Sequence, residues 1–523
     1  MAPLTCAPTA PRRTNPIVQT PSDDSELLEL LGPEPEKPGW WWQQKEFDEH
    51  KDDRSRALLW TMRTGKTKAV IDKAEYQFGQ GAIEGVIVLA PNGVHLNWII
   101  NEIPRWSWPE NGEHALFGWE TPKRGDWDRI KALDAFMAHK GLKWLAVNME
   151  ALAEPDFIKV AARFRKACNR RFMLAISEAH HFGRAGAKRT RMARHLAHVA
   201  KFITIETGTP ILNSPLKAYA LYKILDPLAL GPEYQHNNYE KFAAYFAEWE
   251  VDERSKGRPR NKQFKKIKAY RHLDELRDKM APWSSVVLRS DVSGMPALLT
   301  TDRIVVMSDL QRRAYLEMVS RHLVEIGDEE VTAVDAGARV QKLQQILNGY
   351  VKDGDKIVEI DPDAPIYRSL VEEVEGTLPG KSIVWCRYRE DIRRCVAALK
   401  KRGHGVLEYH GGVATTKREP IRLAFQNDPK FTVLVGQPAA GGEGRDFSAA
   451  DAVIFFSSTP NAIHYEQAKE RGTKIGGMPV SIVRIRTPGT VDDRNWQIVD
   501  GKIETADDIS GLGLKNLLMR TDI

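Results

Sequence analysis

The sequence predicts an α/β protein made of two units, each a parallel sheet covered by helices, with a helical bridge between them. From Pro38 to about Pro227, short apolar runs alternate with amphipathic stretches: VIVLA at 86–90, WLAVN at 144–148, FMLAI at 172–176 and FITIE at 202–206. That alternation marks strands buried on both faces beneath crossover helices. A second series repeats the pattern with IVWC at 383–386, TVLVG at 432–436, AVIFF at 452–456 and SIVRI at 481–485. From about 228 to 340 strand patterns are sparse and stretches such as EKFAAYFAEWE, YRHLDELRDKM and DLQRRAYLEM dominate, which predicts the helical bridge. The expected organisation is an arm at 1–37, a first unit at 38–227, the bridge at 228–340, a second unit at 341–500 and a tail at 501–523.

Composition narrows the function classes. Among 523 residues, 42% are apolar and 28% charged, a globular balance. No run approaches the roughly 18 consecutive apolar residues of a spanning helix. Lys plus Arg exceed Asp plus Glu by 76 to 70, a mild surplus that permits a polyanion partner without demanding one. Cys6, Cys168, Cys386 and Cys395 are too few and too scattered for a disulfide framework. With no secretory pattern at the N-terminus, these features predict an intracellular protein of a reducing compartment. The arm carries seven prolines among Thr, Ser and Ala and is expected to be disordered. Inside the bridge, eight basic residues crowd into 254–268 (Arg254, Lys256, Arg258, Arg260, Lys262, Lys265, Lys266 and Lys268), which suits either a solvated loop or a phosphate contact.

In an open parallel sheet, ligands bind beyond the carboxyl ends of the strands. The residues that follow each apolar run are therefore the candidates. ALLW runs into Thr61–Thr67, VIVL into Ala90, Pro91 and Asn92, MLAI into Ser177, Glu178, Ala179 and His180, and FITIE into Thr207–Pro210. In the second series IVWC runs into Arg387, TVLV into the glycine-rich 436–444 and AVIFF into Ser457 and Ser458. Gly65, Lys66 and Thr67 open an amphipathic stretch, so helix N–H groups would face a phosphate, Lys66 would reach the β- and γ-phosphates, and the Thr67 hydroxyl would ligate Mg²⁺. A full P-loop pattern asks for glycine where Trp60 stands, and a plain helix start explains the tripeptide as well. The Glu178 carboxylate can polarise a water for attack on phosphorus, or belong to an ordinary surface turn. His180, His181, His195 and His198 lack the spacing of a zinc site.

The order of these clusters from about Trp40 to Asp500 resembles the helicase superfamily 2 ATPases, specifically the compact Swi/Snf-family DNA translocases of phages and prokaryotes. Its most specific stretches are RMARHLA with TGTPILNSPLKAYALYKILDP within 191–227, and AGGEGRDFSAADAVIFFS at 440–457. The resemblance implies two RecA-like lobes of the P-loop NTPase class, ATP and Mg²⁺ as cofactors, and double-stranded DNA as a sequence-independent partner. By the same resemblance Gln43 is the adenine-reading glutamine, with Gln44 competing. Trp40, Trp41 and Trp42 are expected to be buried at the start of the domain, base stacking being the alternative. Gly65, Lys66 and Thr67 carry over as motif I, Asn92 and Asn97 belong to motif Ia, Asn148–Leu152 follow, Ser177–His180 stand at motif II and Thr207–Pro210 at motif III. Trp385–Arg387 resemble motif IV, Tyr409–Gly412 the loop after it, Gly441–Asp446 motif V and Gln467–Arg471 motif VI. Catalysis is expected from Lys66, Glu178, Gln467 and Arg471, nucleotide binding also from Gln43, Gly65, Thr67 and Lys474, and the metal from Thr67 and Glu178. Asn92, Asn97, Thr209, Arg387, Gly441, Gly442 and Arg445 are the expected DNA contacts.

The chain departs from the family pattern at several of these positions. Thr61 stands where a glutamate is usual, Arg63 where a glycine is, Ser177 at the motif II aspartate and Lys474 at the second motif VI arginine, while Arg445 replaces an apolar residue. A neutral hydroxyl is a weaker Mg²⁺ donor than a carboxylate, and lysine lacks arginine's bidentate fork. The expected function is a DNA-dependent ATPase that translocates on duplex DNA. The competing expectation is a degenerate ATP- and DNA-binding scaffold with weak or no hydrolysis.

Overall fold

The structure, a computed structural model, describes residues 40–92, 94–107, 114–119, 127–208, 214–234, 238–251, 257, 259, 263–321, 323–326, 329–332, 336–438 and 446–507. The arm at 1–37, Thr209, Pro210, Gly441, Gly442 and Arg445 lie outside the described residues, as do Arg254, Lys256, Arg258, Arg260 and Lys262. The chain divides into two compact units, the first reaching to Asp291 and the second spanning Val292–Thr505.

The first unit holds β1 (Ser55–Trp60), β2 (Gly85–Ala90), β3 (His114–Trp119), β4 (Leu142–Asn148), β5 (Phe172–Ile176), β6 (Phe202–Glu206), β7 (Ala247–Val251), β8 (Lys265–Tyr270) and β9 (Ser284–Val287). Seven of these form one sheet in the order β3-β4-β2-β5-β6-β1-β9, with every neighbouring pair parallel. Strands β1, β2 and β5 are buried along their whole length because helices cover both faces. The helix Pro155–Ala167 shows how such a cover is encoded. Proline opens it, Asp156 sits in its first turn and Arg165 and Lys166 in its last, and Phe157, Val160, Ala161 and Phe164 fall on one buried stripe. Each large side chain on that stripe contributes about 2 kcal/mol.

The second unit holds β10 (Leu298–Ile304), β11 (Leu323–Ile326), β12 (Glu329–Thr332), β13 (Tyr350–Asp353), β14 (Lys356–Glu359), β15 (Lys381–Trp385), β16 (Val406–Tyr409), β17 (Val433–Gly436), β18 (Ala450–Phe455) and β19 (Val480–Arg486). Six of them form a parallel sheet in the order β10-β19-β18-β15-β17-β16. Its core joins Val384, Val435, Ile454 and Ile485 from the strands to Leu370, Val374, Ile392 and Leu399 from the covering helices Pro365–Thr377 and Arg389–Lys401.

Two parallel-sheet α/β units are therefore what the chain forms, and each apolar run named above overlaps a strand. The segment 228–340 differs from the expected helical bridge. It carries helices, but also β7 to β12, and it supplies an edge strand to each sheet, β9 to the first and β10 to the second. β7, β8 and β10 escape a search for apolar runs because they are mostly unburied, and β9 because only its two end residues are buried. β10 is mostly exposed, and the β7–β8 hairpin is laced by Glu248 with Lys268 at 2.8 Å and Glu250 with Lys266 at 3.0 Å. Two of the basic residues of 254–268 are thereby paired across a hairpin.

Candidate functional site

In the first unit the sheet order makes β5, β6 and β1 successive neighbours, so the residues that leave their carboxyl ends meet. β1 stops at Trp60, residues 61–65 form a loop, and the helix Lys66–Gly79 begins. Arg63 (φ 67°) and Gly65 (φ 72°) both lie in the left-handed region. Glycine adopts that region freely, whereas an arginine there carries local strain. Arg63 thus holds a backbone shape that glycine adopts freely, at a position where the resemblance implies glycine. Gly65 has a second constraint, since a Cβ on it would overlap the Gln43 amide.

Residues ahead of β1 brace this loop. Gln43 Nε2 donates to the Gly65 carbonyl oxygen at 3.0 Å, Gln43 Oε1 accepts from Trp40 N–H at 3.0 Å, and Trp42 Nε1 donates to the Thr64 carbonyl oxygen at 3.0 Å. Gln44 points elsewhere, to Asp48 on an exposed face, so of the two glutamines Gln43 is the one at the loop. Burial of the three tryptophans holds only for Trp42, at 5% exposure. Trp40 and Trp41 are 38% and 60% exposed; the Trp40 ring stacks on Trp42 and lies against Gly65, while Trp42 alone of the three is buried. Lys66 Nζ donates to the carbonyl oxygens of Trp60 and Thr61, both at 3.1 Å, which folds the amine back over its own loop.

Beyond β5, Ser177 is buried and Glu178 is left-handed at φ 52°, ψ 49°. A non-glycine residue in this conformation is a common mark of a functional position. His180 is buried, with Nδ1 3.3 Å from Glu178 Oε2 and 3.2 Å from Thr207 Oγ1. Beyond β6, Gly208 comes so close to Met62 that a Cβ would lie 3.1 Å from its Cγ. The loops after β5, β6 and β1 thus form one polar surface holding Gln43, Gly65, Lys66, Thr67, Ser177 and Glu178. At the end of β2, Asn92 is exposed and Asn97 is tied to Glu102 at 3.1 Å.

One residue of this surface escapes the sequence reading. Glu206 closes β6, is 3% exposed, and accepts a hydrogen bond from Ser177 Oγ at 2.6 Å. Burial pushes its carboxyl up to about 7, opposed by the Lys66 charge and the Ser177 hydrogen bond and reinforced by Glu178 and Glu102. The signal lay in plain view, a charged residue ending the otherwise apolar FITIE.

In the second unit, Arg387 leaves β15 with its N–H on Ser457 Oγ at 2.7 Å and its guanidinium on Gln344 Oε1 at 2.6 Å. Gln344 in turn donates to the Ser458 carbonyl oxygen at 2.7 Å. Neither Gln344 nor this network is visible from local sequence. Gln467 and Arg471 are both buried, at the end of the helix Ala462–Lys469 and in the turn after it, whereas Lys474 is exposed.

Comparison with known proteins bears on the same residues. Residues 54–354, more than half of the chain, match the SNF2-related domain, and residues 366–476 match the helicase conserved C-terminal domain. The chain belongs to the SNF2-related family. This SNF2-related chain is 24% identical over 352 residues to the SWI/SNF-related matrix-associated actin-dependent regulator of chromatin subfamily A-like protein 1 homolog of Caenorhabditis elegans, covering 64% of the chain and 45% of the relative. It is 24% identical over 302 residues to an ATP-dependent helicase of Mycoplasma pneumoniae, covering 57% and 27%. It is 23% identical over 376 residues to the TATA-binding protein-associated factor mot1 of Schizosaccharomyces pombe, covering 61% and 19%. The chain thus spans less than half the length of these relatives. Among solved structures, the SWI2/SNF2 ATPase core of Sulfolobus solfataricus in complex with dsDNA aligns with 92% of this chain and 95% of its own, at 17% identity and a TM-score of 0.38. No helix among the described residues is long and apolar enough to cross a membrane.

Proposed function

We propose that the chain is a DNA-dependent ATPase that translocates on duplex DNA. The observation that carries this reading is that, in a chain of the SNF2-related family, Lys66 opens the helix after β1 while Glu178 follows β5, two strands away at the same end of one parallel sheet with only β6 between them. Backbone N–H groups at the start of Lys66–Gly79 face the phosphates. Lys66 exchanges the Trp60 and Thr61 carbonyl oxygens for phosphate oxygens, and Glu178 orients the attacking water. Gln43 contacts the adenine by giving up one of its two backbone partners. Arg471, with Gln467 and Lys474, stabilises charge that develops on the γ-phosphate.

The oxygens offered by Thr67, Ser177 and Glu178 form a hard donor set, which fits Mg²⁺ and not a thiophilic ion. When bound, Mg²⁺ would supply neutralisation of the triphosphate's negative charge. Thr67 and Glu178 are the residues that would hold it.

Asn92, Asn97 and Arg387, with Thr209, Gly441, Gly442 and Arg445, contact the sugar-phosphate backbone. Such contacts carry no base information, so binding is sequence-independent and weakens steeply with salt. The buried free thiols of Cys168, Cys386 and Cys395 fit an intracellular, reducing setting. Phosphate release at saturating Mg-ATP, measured with and without duplex DNA, tests the reading; stimulation by duplex is expected, and no release in either condition would sink it. Ser177 at the family's aspartate favours one second reading, a scaffold that binds ATP and DNA without turnover. Tight nucleotide and duplex binding with no phosphate release is the outcome that selects it.

A further inference from the structure

A hydroxyl, Ser177, stands where the resemblance implies an aspartate, and the structure puts a carboxylate directly beside that hydroxyl. We propose that Glu206, one strand over from the aspartate's usual place, supplies the acidic oxygen for the divalent cation that accompanies ATP, with Ser177 aiming it. The proposal rests on the ATP-binding reading above.

Three observations carry it. β5 and β6 are paired in parallel up to Ile176 with Ile205, so Ser177 and Glu206 are the next residues along the two strands. On its other side Glu206 pairs with Leu58 of β1, the strand that leads into the Lys66 loop. An acid at 206 therefore rises between position 177 and that loop, and glutamate's additional methylene extends its reach. Next, Oε1 accepts from Ser177 Oγ, while Oε2 is buried and has no hydrogen-bond partner among the described residues. A carboxylate removed from water needs a positive or donating partner, and packing alone would be served by an apolar residue in this strand. Last, Lys66 attracts the Glu206 carboxylate and Glu178 repels it, so the group shares its field with the residues assigned to the phosphates and the water. Mg²⁺ bound with a nucleotide asks only one or two carboxylates of the protein. A hydroxyl at 177 with an acid at 206 keeps one such acid at this edge.

The test titrates the full chain with Mn²⁺ in the presence of a non-hydrolysable ATP analogue, following water-proton relaxation. Glu206→Gln keeps an acceptor for Ser177 but removes the charge. It should weaken Mn²⁺ at least about tenfold while leaving nucleotide affinity in EDTA within about twofold. Ser177→Asp combined with Glu206→Gln should restore Mn²⁺ affinity by returning the acid to the family's strand. Unchanged Mn²⁺ affinity in Glu206→Gln would overturn the proposal and leave Glu206 a structural acid. If the single variant fails to fold, Ser177→Ala with Glu206→Leu replaces it, which removes donor and acceptor together, and a folded double variant with unchanged Mn²⁺ affinity overturns the proposal as well. Absence of nucleotide binding to the unaltered chain in EDTA is a separate result, and it removes the ATP reading together with this assignment.

Discussion

Asp391 in the second unit and Glu206 in the first are both fully buried carboxyl groups, pushed up by loss of water to about 6 and about 7. Their surroundings differ. Asp391 accepts from the Tyr350 hydroxyl and the Ser457 hydroxyl at 2.8 Å, the Asn348 amide at 2.9 Å and the Tyr388 N–H at 3.3 Å. It ties the start of the helix Arg389–Lys401 to two other parts of its unit, the 348–350 turn and Ser457, and both oxygens are satisfied. Glu206 accepts from Ser177 alone and leaves Oε2 without a hydrogen bond among the described residues. Asp391 has its donors and serves the architecture of its unit, whereas Glu206 retains an open acceptor.

The largest test of this contrast is stability. Asp391→Ala strands three side-chain donors and should cost about 4 kcal/mol, read as a lower urea midpoint for the second unit. Glu206→Gln should shift the first unit by less than about 1 kcal/mol, and equal losses at the two sites would break the comparison.

Activity should divide the units the other way. Lys66→Ala is expected to lower duplex-stimulated phosphate release at least about a hundredfold while Asp391→Asn, which keeps an acceptor, lowers it far less.

Acid sharpens the picture within the first unit. Burial, with Arg129 adding to it, pulls the His95 imidazole down to about 4, against the backbone contact to Pro91. Because the folded value lies below the ordinary 6.5, the unfolded chain takes up the proton first, and stability present above pH 6.5 is lost as pH falls toward 4. Between pH 6.5 and 5 this amounts to about 2 kcal/mol. His95→Gln should flatten that part of the profile in urea titrations of the first unit. The smallest effect is expected at Arg63. Arg63→Gly relieves the left-handed strain and should raise the first unit's melting free energy by about 1 kcal/mol.

Much of this was legible in the sequence, and for a local reason. A strand covered on both faces has to be apolar over its whole length, so β2, β4, β5, β6, β15, β17, β18 and β19 announce themselves, and the polar residues after them fall where a parallel sheet binds ligands. Lys66, Glu178 and Arg387 stand just beyond such strands. Edge strands obey no such rule. β10 pairs along seven residues with β19 through backbone hydrogen bonds while its side chains face solvent, and β7 and β8 are joined by ion pairs. Their sequences look like the helices and loops around them. Asp391 and Gln344 were invisible for a different reason, since each acts through partners more than 40 residues away.

The sequence by itself determined the fold class, the strands of both sheet interiors and the order of the polar clusters, because burial on two faces and turns at strand ends are written in neighbouring residues. Which strands lie side by side was decided only by the tertiary structure. That decision sets β6 between β5 and β1, and with it a carboxylate against a hydroxyl 29 positions earlier in the chain. Read along the sequence, Ser177 is a lost acid and Glu206 a blemish in an apolar run. Parallel pairing brings them to 2.6 Å of each other and makes them one site.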